Sequence, residues 1–371
     1  LKDKKLLFLT LYTFGLTGGI ENVCKAFGKA LTEFLREGKI KTYQLLSMYD
    51  KGGNEKYIEK ALFKGFGGRR ILFSIQAILA SQSSDIIVLS HVHLLIYARI
   101  IKKIFPKKRI ILYAHGIEIW RNLSAANTKF IQNEIEIWAV SAYTANRIQA
   151  LHQIEASKIQ VLNNCLDPFF EIPKTFEKPA SLLKKYNLPT NSKFILTLSR
   201  LSSTEQYKGY DQVLAVLNEL DEDVHYILAG KADEKEQNRL QNLVQQNELQ
   251  QRVIFTGYVP DAELMAHYQL ADVMVMPSKA EGFGISFIEA MACGTQVIGG
   301  NQDGSVDALR QGAIGTLVNP TDLNEIKSAI ETCLAKPDTE IDKRQLQDNC
   351  LAHFCFSTYK QKVGQLLELN A

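Results

Sequence analysis

At 371 residues, with 46% hydrophobic and 22% charged side chains, the composition predicts a soluble globular protein of two domains. No run of about 18 apolar residues occurs, so no membrane-spanning helix is expected. The net charge of +3 hides an asymmetry: residues 1–168 hold 24 Lys+Arg against 13 Asp+Glu, a balance of +11, and the remainder holds 19 against 27, a balance of −8.

The chain opens with Leu6–Leu11 behind a lysine cluster. This run is shorter than the apolar core of a signal peptide and lacks a small-residue cleavage site, so it reads as a first strand; a start at Leu1 rather than Met leaves an upstream leader open. Short apolar runs at 5–11, 41–47, 86–90, 109–113, 137–140 and 158–162 alternate with helical patterns, as in a buried parallel sheet, and define a first domain over 1–168. Pro168, Pro173, Pro179 and Pro189 punctuate a polar stretch read as a linker over 169–190. Runs at 194–199, 224–229, 252–256, 273–276, 296–299 and 315–317 form a second series, placing a second domain at 191–356, and an amphipathic helix follows at 357–369. The expected class is α/β, two doubly wound Rossmann-like domains whose parallel sheets present the carboxyl ends of their strands to a central cleft. Six cysteines show no C-x-x-C spacing, which implies a reducing, cytoplasmic setting without structural zinc; Cys293 reads as a packed small residue rather than a nucleophile.

The most informative stretch runs from Ala280 to Gly294, with Glu281 and Glu289 separated by seven residues around a glycine-rich helix start. Gly282 and Gly284 let a ligand approach the backbone, beside Phe283, and a helix beginning near Ile285 would aim free N–H groups at an anion. On one helix the two carboxylates would stand roughly 12 Å apart, beyond the roughly 5–9.5 Å of glycosidase pairs. A phosphate seat between two hydroxyl-binding glutamates fits better. Arg200 ends a strand and Lys208 precedes Gly209 at a helix start, so both can stabilise the charge growing on a leaving diphosphate. Gly230 follows the next strand, and Tyr258 a further one at the nucleobase end of the site; Gly299–Ser305 is a second glycine-rich loop beside the donor pocket or a plain turn.

In the first half, Gly18 and Gly19 lie between the first strand and a helix near Glu21, where backbone can approach the diphosphate; a plain strand-to-helix turn gives the same pattern. His115 ends a strand, and His91 and His93 follow another as acceptor contacts. Lys102, Lys103, Lys107, Lys108 and Arg109 surround Phe105, and Lys64, Arg69 and Arg70 stand among Phe63, Phe66 and Phe73. Basic residues among aromatics suit an anionic membrane surface or a lipid-phosphate acceptor, though solvated helix ends give the same pattern; nucleic acid is disfavoured because no binding module accompanies the charge. With no metal-spaced His or Cys cluster and no evident magnesium site, metal-independent chemistry without a cofactor is expected.

Taken together, Glu281-Gly-Phe-Gly with Glu289 and Ala292-Cys-Gly294, Gly18-Gly-Ile-Glu21, His115-Gly-Ile-Glu-Ile-Trp120, and Ser199-Arg-Leu201 followed by Lys208-Gly209 resemble the retaining glycosyltransferases of family 4, which have the GT-B fold. The resemblance extends over nearly the whole chain. It implies transfer of a hexose from a nucleotide sugar to a hydroxyl of a glycan or lipid-linked acceptor, with retained anomeric configuration, in polysaccharide or glycolipid assembly. It further implies that Arg200 and Lys208 bind phosphate, that His115 orients the sugar, and that the final helix, within 357–371, returns to the first domain. A sugar-nucleotide epimerase, a phosphorylase and a catalytically silent nucleotide-binding subunit share the architecture and stay open.

Overall fold

The computed structural model describes residues 4–336 and 339–369. The chain divides into two compact units, one reaching Phe169 and resuming at Phe354, the other spanning Phe170–His353. In the first unit seven strands form one sheet: β1 (Lys5–Thr10), β2 (Thr42–Ser47), β3 (Phe63–Gly65), β4 (Ile86–Leu89), β5 (Arg109–Ala114), β6 (Glu136–Ala139) and β7 (Ile159–Val161). Their order is β3-β2-β1-β4-β5-β6-β7, and every pairing is parallel. Leu6–Leu9 and Ile86–Leu89 are buried along their length because helices cover both faces, which is why these strands read as unbroken apolar runs.

The short edge strand β3 is absent from the sequence reading. Its three residues follow a 3-10 turn at Lys60–Leu62 and carry too little apolar pattern to stand out, so pairing with β2 rather than propensity makes it a strand. The helix Phe356–Leu366 belongs to this unit. The Tyr359 and Tyr113 hydroxyls lie 2.9 Å apart, and the Lys360 ammonium reaches Glu33 and Glu37 at 2.7 and 2.8 Å.

The second unit holds β8 (Lys193–Leu198), β9 (Val224–Ala229), β10 (Val253–Gly257), β11 (Val273–Met276), β12 (Gln296–Gly300) and β13 (Thr316–Val318), ordered β10-β9-β8-β11-β12-β13 and again all parallel. The proline-marked stretch 169–190 is not purely connecting chain: it contains the helix Ala180–Lys185 and, from Phe170 on, groups with the second unit. Both sheets are doubly wound. The strand order reverses between β1 and β4 in the first and between β8 and β11 in the second, and ligands of open α/β sheets collect beyond the carboxyl ends of strands at such points. No helix among the described residues is long and apolar enough to cross a membrane.

Candidate active site

In the second unit the reversal between β8 and β11 brings two loops together. After β8 the chain runs through Arg200 to a 3-10 turn at Gln206–Lys208, and after β11 through Pro277 to the helix Ile285–Ala292. Gly209 makes their contact possible. Its φ is +87° and a Cβ there would stand 2.4 Å from the Pro277 carbonyl oxygen, so only glycine fits. The Lys279 N–H donates to the Tyr207 carbonyl at 3.0 Å, seating the turn on the β11 exit. Across this seam the Lys208 ammonium forms a short ion pair with the Glu281 carboxylate, both side chains largely buried. Burial alone would lower the lysine's pKa, but the charge and hydrogen bond of Glu281, with Tyr207 and Glu205 beside it, together outweigh burial and hold the ammonium above its ordinary value.

Glu281 is itself positioned. Its N–H donates to Asp303 at 2.7 Å, and its carbonyl accepts the Gly304 N–H at 2.8 Å. A Cβ on Gly304 would lie 2.1 Å from the Gly282 carbonyl oxygen, so the second glycine-rich loop packs backbone to backbone on the glutamate motif. Burial pushes the Asp303 carboxyl up to about 6, the Glu281 charge adding to the rise against the N–H donors. Gly284, at φ +93°, caps the helix start, where a side chain would strike the Phe287 ring. Phe283 is buried, and Gly282 stands between it and Glu281 in the loop.

Glu289 lies one turn into that helix, 8% exposed, and its Oε2 accepts the Tyr268 hydroxyl at 2.7 Å. It is therefore an oriented, nearly buried carboxylate rather than a solvated one. Cys293 is buried and its thiol pKa is raised, first by burial and then by Glu289, as suits a packed residue. Arg200 is 65% exposed and pairs with Glu205 at 3.1 Å, so it shares the loop with Lys208 but not the Glu281 pair. Gly230, at φ +140°, would place a Cβ 1.8 Å from the Ser199 carbonyl, letting the β9 exit close on the residue before Arg200. Tyr258 follows β10 and is 55% exposed. Two strand spacings, roughly 10 Å, separate β10 from β8, about the length of a nucleoside.

In the first unit Gly18 and Gly19 open the helix Gly19–Arg36. A Cβ at Gly18 would meet only the Glu21 carboxylate, the mobile end of a side chain, and one at Gly19 would meet nothing within 4 Å, so no internal packing demands glycine there. The preceding loop is held by Asp50, which sequence reasoning missed. Its buried carboxylate accepts the N–H groups of Thr13, Phe14 and Gly15 at 2.7, 3.2 and 2.6 Å and the Ser47 hydroxyl at 2.7 Å.

His115 stands at the end of β5, its ring stacked on Tyr113 with centroids 5.3 Å apart. Its Nε2 contacts the Ser90 carbonyl at 3.0 Å; a carbonyl only accepts, so Nε2 carries the hydrogen and Nδ1 is an acceptor. Burial lowers its pKa to about 4, opposed by that carbonyl. The imidazole is neutral at pH 7. The Glu118 carboxylate accepts the His115 N–H at 2.6 Å and fixes the turn. The His91 and His93 rings lie 4.5 Å apart; His91 Nδ1 accepts the His93 N–H at 3.1 Å, and Arg121 donates to His93 Nε2 at 2.7 Å. Burial also takes His91 down to about 4.

The basic and aromatic clusters separate in the structure. Phe66 and Phe73 are core residues because they pack edge to face inside the first unit, so they are not the exposed apolar part of a surface. The exposed apolar residues are instead aliphatic: Ile71, Leu72, Ile75 and Leu79 on the helix Arg70–Ser83, and Ile96, Ile100 and Ile104 on the adjoining helix Leu95–Ile104. Among the described residues no group of three His, Cys, Asp or Glu side chains is placed to hold a metal ion. Asp221-Glu-Asp223 is an Asp-x-Asp run that the expectation of metal-free chemistry leaves out; it stands before β9, at the strand's amino end, whereas Lys208 and Glu281 follow carboxyl ends.

Residues 180–349 match the family described as Glycosyl transferases group 1. A GDP-mannose-dependent alpha-(1-6)-phosphatidylinositol monomannoside mannosyltransferase of Mycolicibacterium smegmatis is 30% identical over 62% of this chain and 62% of its own length. The serotype-specific mannosyltransferase WbdA of Escherichia coli is 28% identical over 58% of this chain and 26% of its own. The chain thus spans less than two thirds of these relatives. Among solved structures, Anabaena Alr3699/HepE in complex with UDP superimposes with a TM-score of 0.78 over 98% of this chain and 99% of its own, at 21% identity, a likeness of fold. The match to Glycosyl transferases group 1 thus spans the loops that carry Arg200, Lys208, Glu281 and Glu289, and the likeness to solved structures places the whole chain in the GT-B fold class.

Proposed function

We propose that the protein is a retaining glycosyltransferase that moves a hexose from a nucleoside diphosphate sugar to a hydroxyl of a glycan or lipid-linked acceptor, without a metal ion. The observation that carries this reading is the Lys208–Glu281 pair at the carboxyl ends of β8 and β11, beside the glycine-opened helix Ile285–Ala292. A diphosphate needs cations and N–H donors, and this edge supplies Lys208, Arg200 and a helix N-terminus. A sugar hydroxyl needs a carboxylate acceptor, and Glu281 stands beside them.

In this mechanism the bond from the anomeric carbon to the β-phosphate oxygen breaks with its electron pair going to the phosphate. Lys208, Arg200 and the helix N–H groups stabilise that charge as it grows. The acceptor oxygen bonds to the same face of the carbon, and its proton passes to the departing phosphate oxygen. His115, neutral and with Nδ1 left as an acceptor, takes a hydrogen bond from a sugar hydroxyl and orients the ring. Glu289 receives a ribose hydroxyl, with Tyr268 fixing its carboxylate.

The GDP-mannose named for the Mycolicibacterium relative, with mannose transfer named for WbdA, favours GDP-mannose as donor, and the UDP bound to the structural neighbour makes UDP-sugars the next choice. The aliphatic rows with Arg69, Arg70, Lys102 and Lys103 beside them suit peripheral attachment to the cytoplasmic face of an anionic membrane.

The decisive test is thermal unfolding with GDP, UDP and ADP, each with and without EDTA, followed by turnover of the matching nucleotide sugar. A ligand at 100 times its Kd adds about 2.7 kcal/mol of stability. A shift with one nucleotide that survives EDTA, and a product whose anomeric proton NMR shows retention, are expected. No shift with any nucleotide, or turnover that EDTA abolishes and magnesium restores, would overturn the reading.

A further inference from the structure

Beside His93 the first unit has a cavity of about 460 Å³, within the roughly 300–1,000 Å³ of small-molecule sites. One part of its wall is cationic, formed by Arg99 and Arg121, and no acidic side chain lines it. Arg121 donates to the His93 ring rather than to a carboxylate, and Arg99 has no ion pair among the described residues. Two exposed guanidinium groups lining one cavity without a carboxylate present donors suited to a phosphate or carboxylate.

Two further features point the same way. Ser124 and Asn127 also line the cavity, at the start of the ten-residue helix Ala125–Glu134; the Ser124 hydroxyl caps the Asn127 N–H, and the positive end of the helix dipole adds to the field. The remaining wall is apolar, with Leu95, Ile96 and Leu123. His93 links the cavity to His91 and so to the edge of the sheet where His115 stands.

We infer that this cavity binds an acidic group, a phosphate monoester or diester, on the sugar acceptor, with Arg99 and Arg121 holding the anion and the apolar wall taking the adjoining carbon skeleton. The inference rests on the transferase reading for the word acceptor; the anion site itself does not. Arg121 then has two tasks, since the same guanidinium fixes His93 next to the reacting edge, so an acceptor lacking the acid loses both affinity and orientation.

The test is titration calorimetry of the full chain with inorganic phosphate, glucose 6-phosphate and glycerophosphoinositol, on the wild type, Arg99→Gln and Arg121→Gln, with nucleotide-induced thermal stabilisation measured on the same samples. Saturable binding of one phosphate ester, weakened at least tenfold in both variants while nucleotide stabilisation is unchanged, is expected. Preference for glycerophosphoinositol would identify a lipid headgroup, and preference for glucose 6-phosphate a soluble phosphorylated sugar. Equal binding of inorganic phosphate and both esters would mean an adventitious ion only and overturn the proposal, as would ester binding that both variants retain. Loss of nucleotide stabilisation in the wild type, with ester binding intact, would sink the transferase reading and leave the anion site standing.

Discussion

The two units share one topology but build their reversal points from different chemistry. At the β8–β11 edge the ionisable groups are charged and paired, with Lys208 on Glu281 and Arg200 on Glu205, and glycines are required where backbones meet. At the β1–β4 edge and the adjoining end of β5 the His91 and His115 imidazoles are neutral, the Asp50 and Glu118 carboxylates are taken up by backbone N–H groups rather than by cations, and Gly18 and Gly19 face no packing demand. A charged, preorganised edge suits a ligand whose charge grows during reaction; neutral imidazoles suit hydroxyl recognition. On the proposed function, the same fold divides charge stabilisation from orientation.

The largest effect expected from breaking this division is at Lys208. Lys208→Ala should lower kcat on the order of 10²–10³-fold, measured by nucleotide release from the matching donor. Glu281→Ala should lose most transfer while nucleotide affinity holds or rises, because it frees the ammonium, whereas Glu289→Ala should weaken the nucleotide itself; equal losses in both variants would contradict the assigned roles.

Next come the glycines. Gly230→Ala forces a Cβ toward the Ser199 carbonyl at a positive φ and should cost on the order of 2–4 kcal/mol in denaturant unfolding. Gly19→Ala, with open space around it, should be neutral or stabilise by up to about 1 kcal/mol. If donor affinity nevertheless falls in Gly19→Ala, close backbone approach of the ligand is the reason for that glycine.

A smaller effect lies in acid. His115 and His91 are held at about 4, below the ordinary histidine value of 6.5, so between those values the unfolded chain binds protons that the folded chain refuses. Stability is complete above about pH 6.5 and is lost as pH falls toward 4. His115→Asn should flatten that limb by about 3 kcal/mol, read from urea midpoints across pH 4–7.

Smallest is the surface effect. Replacing Ile75 and Leu79 with Asp should reduce co-sedimentation with anionic vesicles several-fold and leave turnover on a soluble acceptor unchanged. Equal binding of the wild type to neutral vesicles would defeat the electrostatic component.

Most of the fold is legible in the sequence because burial on both faces turns each central strand into an apolar run, as at Leu6–Leu9 or Val273–Met276. The edge strand Phe63–Gly65 is not, since one neighbour rather than its own residues makes it a strand. The glutamate motif is legible because glycine and glutamate are spaced around a helix start. Its supports are not: Asp303, Tyr268 and Glu205 act through contacts with residues far along the chain or through loop geometry, and nothing in their local pattern marks those contacts. A buried Asp303 inside a glycine-rich loop, two residues before Ser305, is a readable turn signal, but its tie to Glu281 is not. The aromatic and basic clusters mislead for a related reason. Sequence proximity joins Phe66 and Phe73 to Arg69 and Arg70, while the helix turns the rings inward and leaves Ile71 and Ile75 outside.

Asp50 gives the β1 loop a resident anion. With three backbone N–H groups already committed to its carboxylate, the segment from Thr13 to Gly15 is ordered when the protein folds rather than when a ligand arrives. Fixing a backbone residue costs about 1–2 kcal/mol, so on the proposed function three residues ordered in advance would spare an incoming donor several kcal/mol of lost freedom. The loop should therefore behave as a rigid platform with fast association, and Asp50→Ala should show itself first as a slower on-rate for nucleotide, before any change in the chemistry that follows.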